Sequence, residues 1–210
     1  MQLPSKLEAV VFDVGETLID ETRTWEAVAD GAGVTRFTFM ATLGGLIADG
    51  RSHREIFDRF GVSEPAALPA LEPDDVYPDV RPCLVALRAL GFRVGIAANQ
   101  PDRAAEIRQV IGVQLDFAAT SAAWGVAKPS PGFFERIATE LALPHSAIAY
   151  VGDRVDNDIE PAAAARMCAI FVRRGPWAWI TCPVGSPVTA TYTVESLAEL
   201  PELLGQGTST

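Results

Sequence analysis

The amino-acid sequence predicts an α/β protein with a doubly wound parallel sheet as its core and a small helical domain inserted into it. Short apolar runs rich in branched residues alternate with segments of helical spacing, a pattern typical of a parallel sheet covered by helices on both faces. Apolar residues make up 49% of the 210 positions, which is enough to bury a sizeable core. The alternation is interrupted at residues 18–78, where helical patches occur without a convincing strand.

Six apolar runs are predicted as strands, and the last of them is the weakest. Their order along the chain, with helical segments between them, predicts a Rossmann-like sheet. The runs are "EAVVF" (8–12), "RVGIAA" (93–98), "LDFAA" (115–119), "AIAYV" (147–151), "CAIFV" (168–172) and "TATYT" (189–193).

The predicted helices of the core have recognisable start or stop signals. A glycine follows the first two, and the third opens with Ser130, which can cap a helix, and Pro131, which suits the first helical position. These helices cover residues 80–90, 101–111 and 130–143.

Residues 18–78 are predicted to form a helical cap domain, inserted between the first and second strands. Helical patches punctuated by glycines come first, and a proline-rich segment leads back to the core. The core domain would then comprise residues 1–17 and 79–210. The helical patches are 23–33, 36–50 and 52–61, and the proline-rich segment is 64–80.

Composition excludes several functional classes. A formal charge of −10 without any basic run argues against nucleic-acid binding, and no segment has membrane-spanning length. The N-terminus lacks the basic start and apolar stretch of a signal peptide, so we expect a cytoplasmic protein. The three cysteines lie far apart and form no CxxC pair, which argues against a disulfide framework or a zinc site. Both a monomer and a homodimer are compatible with the sequence.

Four polar clusters follow predicted strands or lie close to their ends. Because the carboxyl ends of parallel strands meet at one edge of a sheet, we expect these clusters to converge. Several carboxylates placed together require a cation between them, and hard oxygen ligands favour Mg²⁺. Lys128 would supply a positive charge for an anion. The clusters are 13–17, 99–100, 128–129 and 151–158.

The same clusters resemble, in order and spacing, the four motifs of the haloacid dehalogenase superfamily of hydrolases. The matching segments are "VVFDVGETL", "GIAANQ", "KPSPGFF" and "VGDRVDNDI". The resemblance implies that Asp13 is a nucleophile forming an aspartyl phosphate, and that Lys128 keeps Asp13 ionised and neutralises the transferring group. Thr17, Asn99 and Lys128 would contact the phosphate of a small phosphorylated substrate.

The resemblance also implies a magnesium site and a substrate-selecting cap. Asp13, Asp153 and the backbone carbonyl of Gly15 would bind the metal, Asp158 would lie in or near its shell, and Asn157 would orient neighbouring groups. Residues 18–78 correspond to the cap that family members insert after the first motif, where it covers the site.

Two positions depart from the family's phosphatases. These carry a second aspartate two positions after the nucleophile, which protonates the leaving oxygen and later activates water, but here the residue is Gly15. Ala98 stands before Asn99, where the family has Ser or Thr. Glu16 is ranked first as a replacement acid and base. Asp20, Glu21 and His53 are the other possibilities.

Two alternative functions remain open on these residues. A member that binds a phosphorylated ligand or another protein without turnover would explain Gly15 and Ala98. Carbon–halogen hydrolysis, as in 2-haloacid dehalogenases, would need no leaving-group acid, although the intact "GDRVDND" argues against it. Cleavage of phosphonates through a cap lysine is excluded, because residues 18–78 contain no lysine. The aromatic segment 175–179 is interpreted as packing rather than as a ligand contact.

Overall fold

The computed structural model describes residues 7–206 and confirms the predicted Rossmann-like α/β fold. Six parallel strands form one sheet in the order β3-β2-β1-β4-β5-β6. Each predicted apolar run supplies one strand, with the boundaries shifted by up to three residues. The strands are β1 (Ala9–Phe12), β2 (Arg93–Ala98), β3 (Phe117–Thr120), β4 (Ile148–Gly152), β5 (Cys168–Val172) and β6 (Tyr192–Val194).

The sheet is buried on both faces, which explains why its strands are continuously apolar. In β1, Val10 and Phe12 face one cluster of buried side chains, whereas Ala9 and Val11 face the other. Helices α4 (Val80–Ala89), α5 (Ala104–Ile111) and α10 (Leu200–Gly205) cover the first face. Helices α7 (Pro131–Leu141), α8 (Glu160–Ala164) and α9 (Gly175–Thr181) contribute to the second, and the short α6 (Ser121–Trp124) follows β3.

A third cluster of buried side chains lies outside the sheet. It joins helices α1 (Thr22–Gly31), α2 (Arg36–Ala48) and α3 (Glu55–Phe60), with Phe39 fully buried at its centre. Trp177 and Ile180 from α9 pack against the same cluster. Helices α1–α3 therefore pack against α9, one of the helices that cover the sheet.

The two connections between helices α1–α3 and the sheet run side by side. Ile19 forms an antiparallel bridge with Val76, and the amide of Asp20 donates to the carbonyl of Asp75 at 2.8 Å. Entry and exit of this helical segment are therefore adjacent, beside the end of β1. In the part of the chain that the structure describes, no helix has the length and apolar character needed to span a membrane.

Candidate active site

The polar clusters at the ends of β1, β2 and β4 converge as predicted. Asp13 directly follows β1, and its amide donates to the carbonyl of Val151 in the neighbouring β4 at 2.9 Å. Asp153 directly follows β4. Strands β1 and β4 are adjacent, but the chain continues from β1 to β2 in one direction along the sheet and from β4 to β5 in the other. The carboxyl ends of β1 and β4 therefore form a topological switch point, where ligands bind in open α/β sheets.

Lys128 lies between two carboxylates and is almost completely buried. Its Nζ is 2.6 Å from Asp13 Oδ1 and 2.5 Å from Asp158 Oδ1. Burial disfavours the charged amine, but the carboxylates of Asp13 and Asp158 outweigh this and hold the pKa of Lys128 well above its ordinary value. The ammonium is thus a permanent positive charge beside the predicted nucleophile.

Asn99 fixes the main chain that presents Lys128. Its side-chain amide donates to the Lys128 carbonyl at 3.0 Å and accepts from the Lys128 amide at 2.9 Å. Asn99 also lines the cavity above the site. The direct contact that we predict between Asn99 and phosphate stays a prediction.

Three buried carboxylates from Asp13, Asp153 and Asp158 come together, with one oxygen of each within 4.8 Å of the others. Thr17 donates its hydroxyl to Asp153 Oδ1 at 3.3 Å, but among residues 7–206 no donor reaches the buried Oδ2 of Asp153. Burial and the charges of Asp158 and Asp13 raise the pKa of Asp153 well above its ordinary value. A buried oxygen without a partner among like charges fits a hard divalent cation.

The side chain of Asp158 packs directly against Gly152 on its way to Lys128. A Cβ atom at Gly152 would lie 2.5 Å from Asp158 Cγ, so only glycine leaves room for this carboxyl. Asp158 Oδ2 accepts from the Arg154 amide at 3.0 Å. Burial raises the pKa of Asp158 to about 6, against the opposing effect of Lys128. Asn157, on the same turn, lines the cavity.

The carboxyl of Glu21 occupies the space beside Gly15. A Cβ atom at Gly15 would lie 2.6 Å from Glu21 Oε1 and 2.9 Å from Glu21 Cδ. Gln100 donates to Glu21 Oε1 at 3.3 Å. Burial of the carboxyl, followed by the charges of Glu16 and Asp13, raises the pKa of Glu21 to about 7. The metal-binding role of the Gly15 carbonyl stays a prediction.

Glu16 has both carboxylate oxygens engaged. Oε1 accepts from the Glu21 amide at 3.0 Å, and Oε2 accepts from the Tyr77 hydroxyl at 2.8 Å. The residue is buried and has a positive φ of 53°, an uncommon conformation for a side chain of this size. The structure therefore favours Glu21 over Glu16 for the space that a side chain at position 15 would fill.

The site opens into a cavity of about 620 Å³ beneath helices α1 and α3. An aromatic row forms one wall: the His53 ring meets Trp25 and Trp177 edge to face, at centroid distances of 5.9 and 5.8 Å. The guanidinium of Arg154 lies 5.2 Å from the centre of the Trp177 ring. The sequence predicts that residues 175–179 pack in the interior, and Trp177 both packs against helices α1–α3 and lines this cavity. Its position shortly after β5, behind Arg173 and Arg174, is the feature of the sequence that indicates a place near the site.

Two curated relatives share part of the sequence, and both are named glyceraldehyde 3-phosphate phosphatase. The Methanopyrus kandleri protein is 37% identical over 106 residues, which are 48% of this chain and 45% of the relative. The Methanocaldococcus jannaschii protein is 29% identical over 133 residues, 61% of this chain and 56% of the relative. The chain thus spans about half the length of the curated relatives it matches.

Solved structures share the whole fold. A phosphatase of the haloacid dehalogenase type from Thermococcus onnurineus superposes with a TM-score of 0.66 at 22% identity, covering 95% of this chain and 98% of that one. The L-2-haloacid dehalogenase from Xanthobacter autotrophicus, with chloropropionic acid covalently bound, gives 0.66 at 17% identity, covering 97% and 100%. These likenesses show the fold alone. The sequence model of haloacid dehalogenase-like hydrolases matches residues 7–166, most of the chain, and this protein therefore belongs to that family of hydrolases.

Proposed function

We propose that this hydrolase is a Mg²⁺-dependent phosphatase that cleaves a small phosphate ester through an aspartyl phosphate at Asp13. The observation that supports it most directly is the contact of the Asp13 carboxylate with the buried Lys128 ammonium, next to the unpartnered oxygen of Asp153. A nucleophilic carboxylate, a fixed positive charge and a divalent-cation site are the parts that phosphoryl transfer requires.

Asp13 and Asp153 would hold the metal, and Asp158 would lie in or near its shell, because these carboxylates form the one cluster of suitable ligands among the described residues. When bound, Mg²⁺ neutralises charge on the phosphoryl oxygens and orients them for in-line attack. The intact carboxylate set is what separates this proposal from carbon–halogen hydrolysis.

Asp13 would attack phosphorus with the carboxylate oxygen that Lys128 does not hold. Lys128 keeps Asp13 ionised and balances the negative charge of the transferring group, and it does so without reorganising, since Asp158 and Asn99 fix its position. The phosphate contact that we predict for Thr17 remains part of this proposal, although its hydroxyl is buried here and donates to Asp153 Oδ1.

Residues 18–78 would act as the cap domain of this enzyme. Helices α1 and α3 form the roof of the cavity, and their two connections to the sheet lie side by side at Ile19 and Val76. The cavity is of the size that suits small molecules. Given the names of the curated relatives, triose phosphates are the first substrates to test. The cytoplasmic location is also part of the proposal.

Hydrolysis of an activated aryl phosphate tests this function, because its leaving group needs no protonation by the enzyme. We expect turnover that requires Mg²⁺, stops in chelator and is lost in Asp13→Asn. Asp58→Asn makes the same chemical change on the exposed face of α3 and should leave turnover unchanged.

Absence of turnover in the wild-type protein would refute the phosphatase proposal. Halide release from short 2-haloacids that persists in chelator would then identify a dehalogenase. A protein inactive in both assays that still binds inorganic phosphate would be a non-catalytic member.

A further inference from the structure

We propose that Glu21 is the general acid and base of this enzyme and takes the place of the aspartate that the family's phosphatases carry at position 15. The inference rests on the proposed phosphatase function and adds a catalytic residue to it. It assigns the proton transfer to a side chain that enters the site from the start of α1 rather than from the loop after β1.

The position of the Glu21 carboxyl is the main observation. Its Oε1 lies 2.6 Å from where a Cβ atom at Gly15 would be, so the carboxyl fills the volume that a side chain at position 15 would enter. Both Glu21 and Asp13 line the same cavity. A proton donor in this volume would stand where the resembling phosphatases place the aspartate that protonates the leaving oxygen.

The neighbours of Glu21 hold it in this place. Its amide donates to Glu16 Oε1 at 3.0 Å, and its Oε1 accepts from Gln100 Nε2 at 3.3 Å. Glu16 is itself fixed by Tyr77 at 2.8 Å. Glu16, the residue directly after the glycine, also lines the cavity, but both of its carboxylate oxygens are engaged, one by the Glu21 amide and one by Tyr77.

The other acid and base candidates are placed less well. Asp20 Oδ1 accepts from the Thr22 amide at 2.8 Å, where it stabilises the first turn of α1. His53 is enclosed between the rings of Trp25 and Trp177. Glu21 is the candidate whose carboxyl occupies the space beside Gly15.

The proton transfers balance over the two steps. As Asp13 Oδ forms its bond to phosphorus, the bond from phosphorus to the leaving oxygen breaks, and that oxygen takes its proton from the Glu21 carboxyl. In the second step the Glu21 carboxylate takes a proton from water as the water oxygen bonds to phosphorus. The bond from phosphorus to Asp13 breaks, phosphate leaves, and Asp13 is again a carboxylate while Glu21 is again protonated.

The first experiment compares two leaving groups in Glu21→Gln, an isosteric change. We expect a loss of about 10²- to 10⁴-fold in kcat/KM on an alkyl phosphate, whose leaving oxygen needs the proton, and a much smaller loss on an activated aryl phosphate. Glu26→Gln, on the same helix but paired with Arg36 at the surface, is the matched control and should behave as wild type.

A second readout does not depend on turnover. Because Glu21→Gln lacks the base for the water step, acid-quenched protein should accumulate phosphoryl-Asp13 from the aryl phosphate, detected by intact mass. Wild-type protein should show much less of this species under the same conditions.

Rescue separates a catalytic role from a structural one. Glu21→Ala opens the space beside Gly15, and adding Gly15→Asp to it should recover at least about tenfold in kcat/KM on the alkyl phosphate. The two variants with Ala at position 21 also keep the test valid if Glu21→Gln fails to fold.

The outcomes distinguish this inference from the proposed function. If wild-type protein lacks Mg²⁺-dependent turnover of the aryl phosphate, the proposed function fails. If wild-type protein turns over but Glu21→Gln loses equally on both substrates, or loses nothing, and Gly15→Asp gives no rescue, only the assignment of Glu21 is wrong.

Discussion

At the scale of single residues, the glycine at position 152 decides where the Asp158 carboxyl lies. We expect Gly152→Ala to displace Asp158 from Lys128, because the new Cβ would lie 2.5 Å from Asp158 Cγ. Partners that orient metal-site ligands typically contribute about 10- to 100-fold to affinity. Calorimetric titration with Mg²⁺ should therefore show affinity reduced by at least about tenfold.

Gly45→Ala is the matched control for this substitution. Gly45 lies in α2, and a Cβ atom there would meet nothing within 4 Å. The change should raise the free energy of unfolding by about 0.5–1 kcal/mol, as expected for an exposed helical glycine, and leave Mg²⁺ binding unaltered. Unaltered affinity in Gly152→Ala would show that Asp158 does not orient the site.

The sequence is sufficient to predict that Asp13, Lys128, Asp153 and Asp158 lie close together. Asp13 and Asp153 directly follow strands of a parallel sheet, and Lys128 and Asp158 belong to motifs near the ends of such strands. The sequence is not sufficient to rank Glu21 above Glu16. That choice depends on the left-handed backbone at Glu16 and on the turn that brings residue 21 back over Gly15. Neither can be read from residue spacing, since both follow from the path of the chain between β1 and α1.

At the scale of elements, helices α1 and α3 meet α9 through the ring of His53. Burial lowers the pKa of His53, and the positive charges of Arg154 and Arg54 act in the same direction against the weaker effect of Glu64. Folding therefore favours the neutral ring. Between this lowered pKa and the unfolded value of about 6.5, the unfolded chain binds more protons, so the stability from His53 is lost as the pH falls.

This linkage predicts a pH-dependent stability that belongs to one side chain. The raised pKa values of Glu21 and Asp158 contribute a slope of opposite sign in the same range, so the test is the difference in unfolding free energy between wild type and His53→Gln, measured in urea from about pH 5 to 8. His53→Gln should be less stable at neutral pH through lost packing, and its deficit relative to wild type should shrink as the pH falls below about 6.5. An identical pH slope in both proteins would contradict the assignment to His53.

Element types were predictable from the sequence, but their ends and their contacts were less so. Helix α5 begins at Ala104 rather than at Pro101, because residues 101–103 form a turn at the cavity edge. Strand β3 starts at Phe117, two residues later than predicted. Helix α9 was not predicted, because its seven residues are too few to show helical periodicity. It nevertheless supplies Trp177 to the cavity wall.

At the scale of the whole molecule, Asp79 and Arg174 join distant parts of the chain. Arg174 pairs with Asp79, donates to the Thr17 carbonyl at 2.9 Å and stacks on Tyr77. Asp79 Oδ2 also accepts from Ser196 Oγ at 2.7 Å and the Leu197 amide at 2.9 Å. The loop after β1, the start of α4 and the C-terminal segment thus share one polar network.

We expect Asp79→Ala to lower the free energy of unfolding by about 3 kcal/mol, at the low end for a buried ion pair because both side chains keep some solvent contact. Urea unfolding measures this loss. Asp30→Ala removes the carboxylate from a solvent-exposed pair with Arg36 and should change stability little. Equal effects of the two substitutions would show that the network adds nothing beyond a surface pair.

The parallel architecture was predictable because alternating strand and helix patterns admit few alternatives. The network around Asp79 was not, because it joins residues 17, 79, 174 and 196, which no local pattern connects. The strand order, which places β1 between β2 and β4, arises from how the elements pack and determines which strand ends face the cavity.

The burial of Lys128 has a consequence for chemical labelling. The sequence has lysine only at positions 6 and 128, so residues 7–206 carry a single ε-amine, and it lies between two carboxylates out of reach of solvent. Amine-directed acylating reagents should leave this whole part of the native protein unmodified. The rate of acylation at Lys128, followed by peptide mass spectrometry, should therefore measure how often this buried site opens.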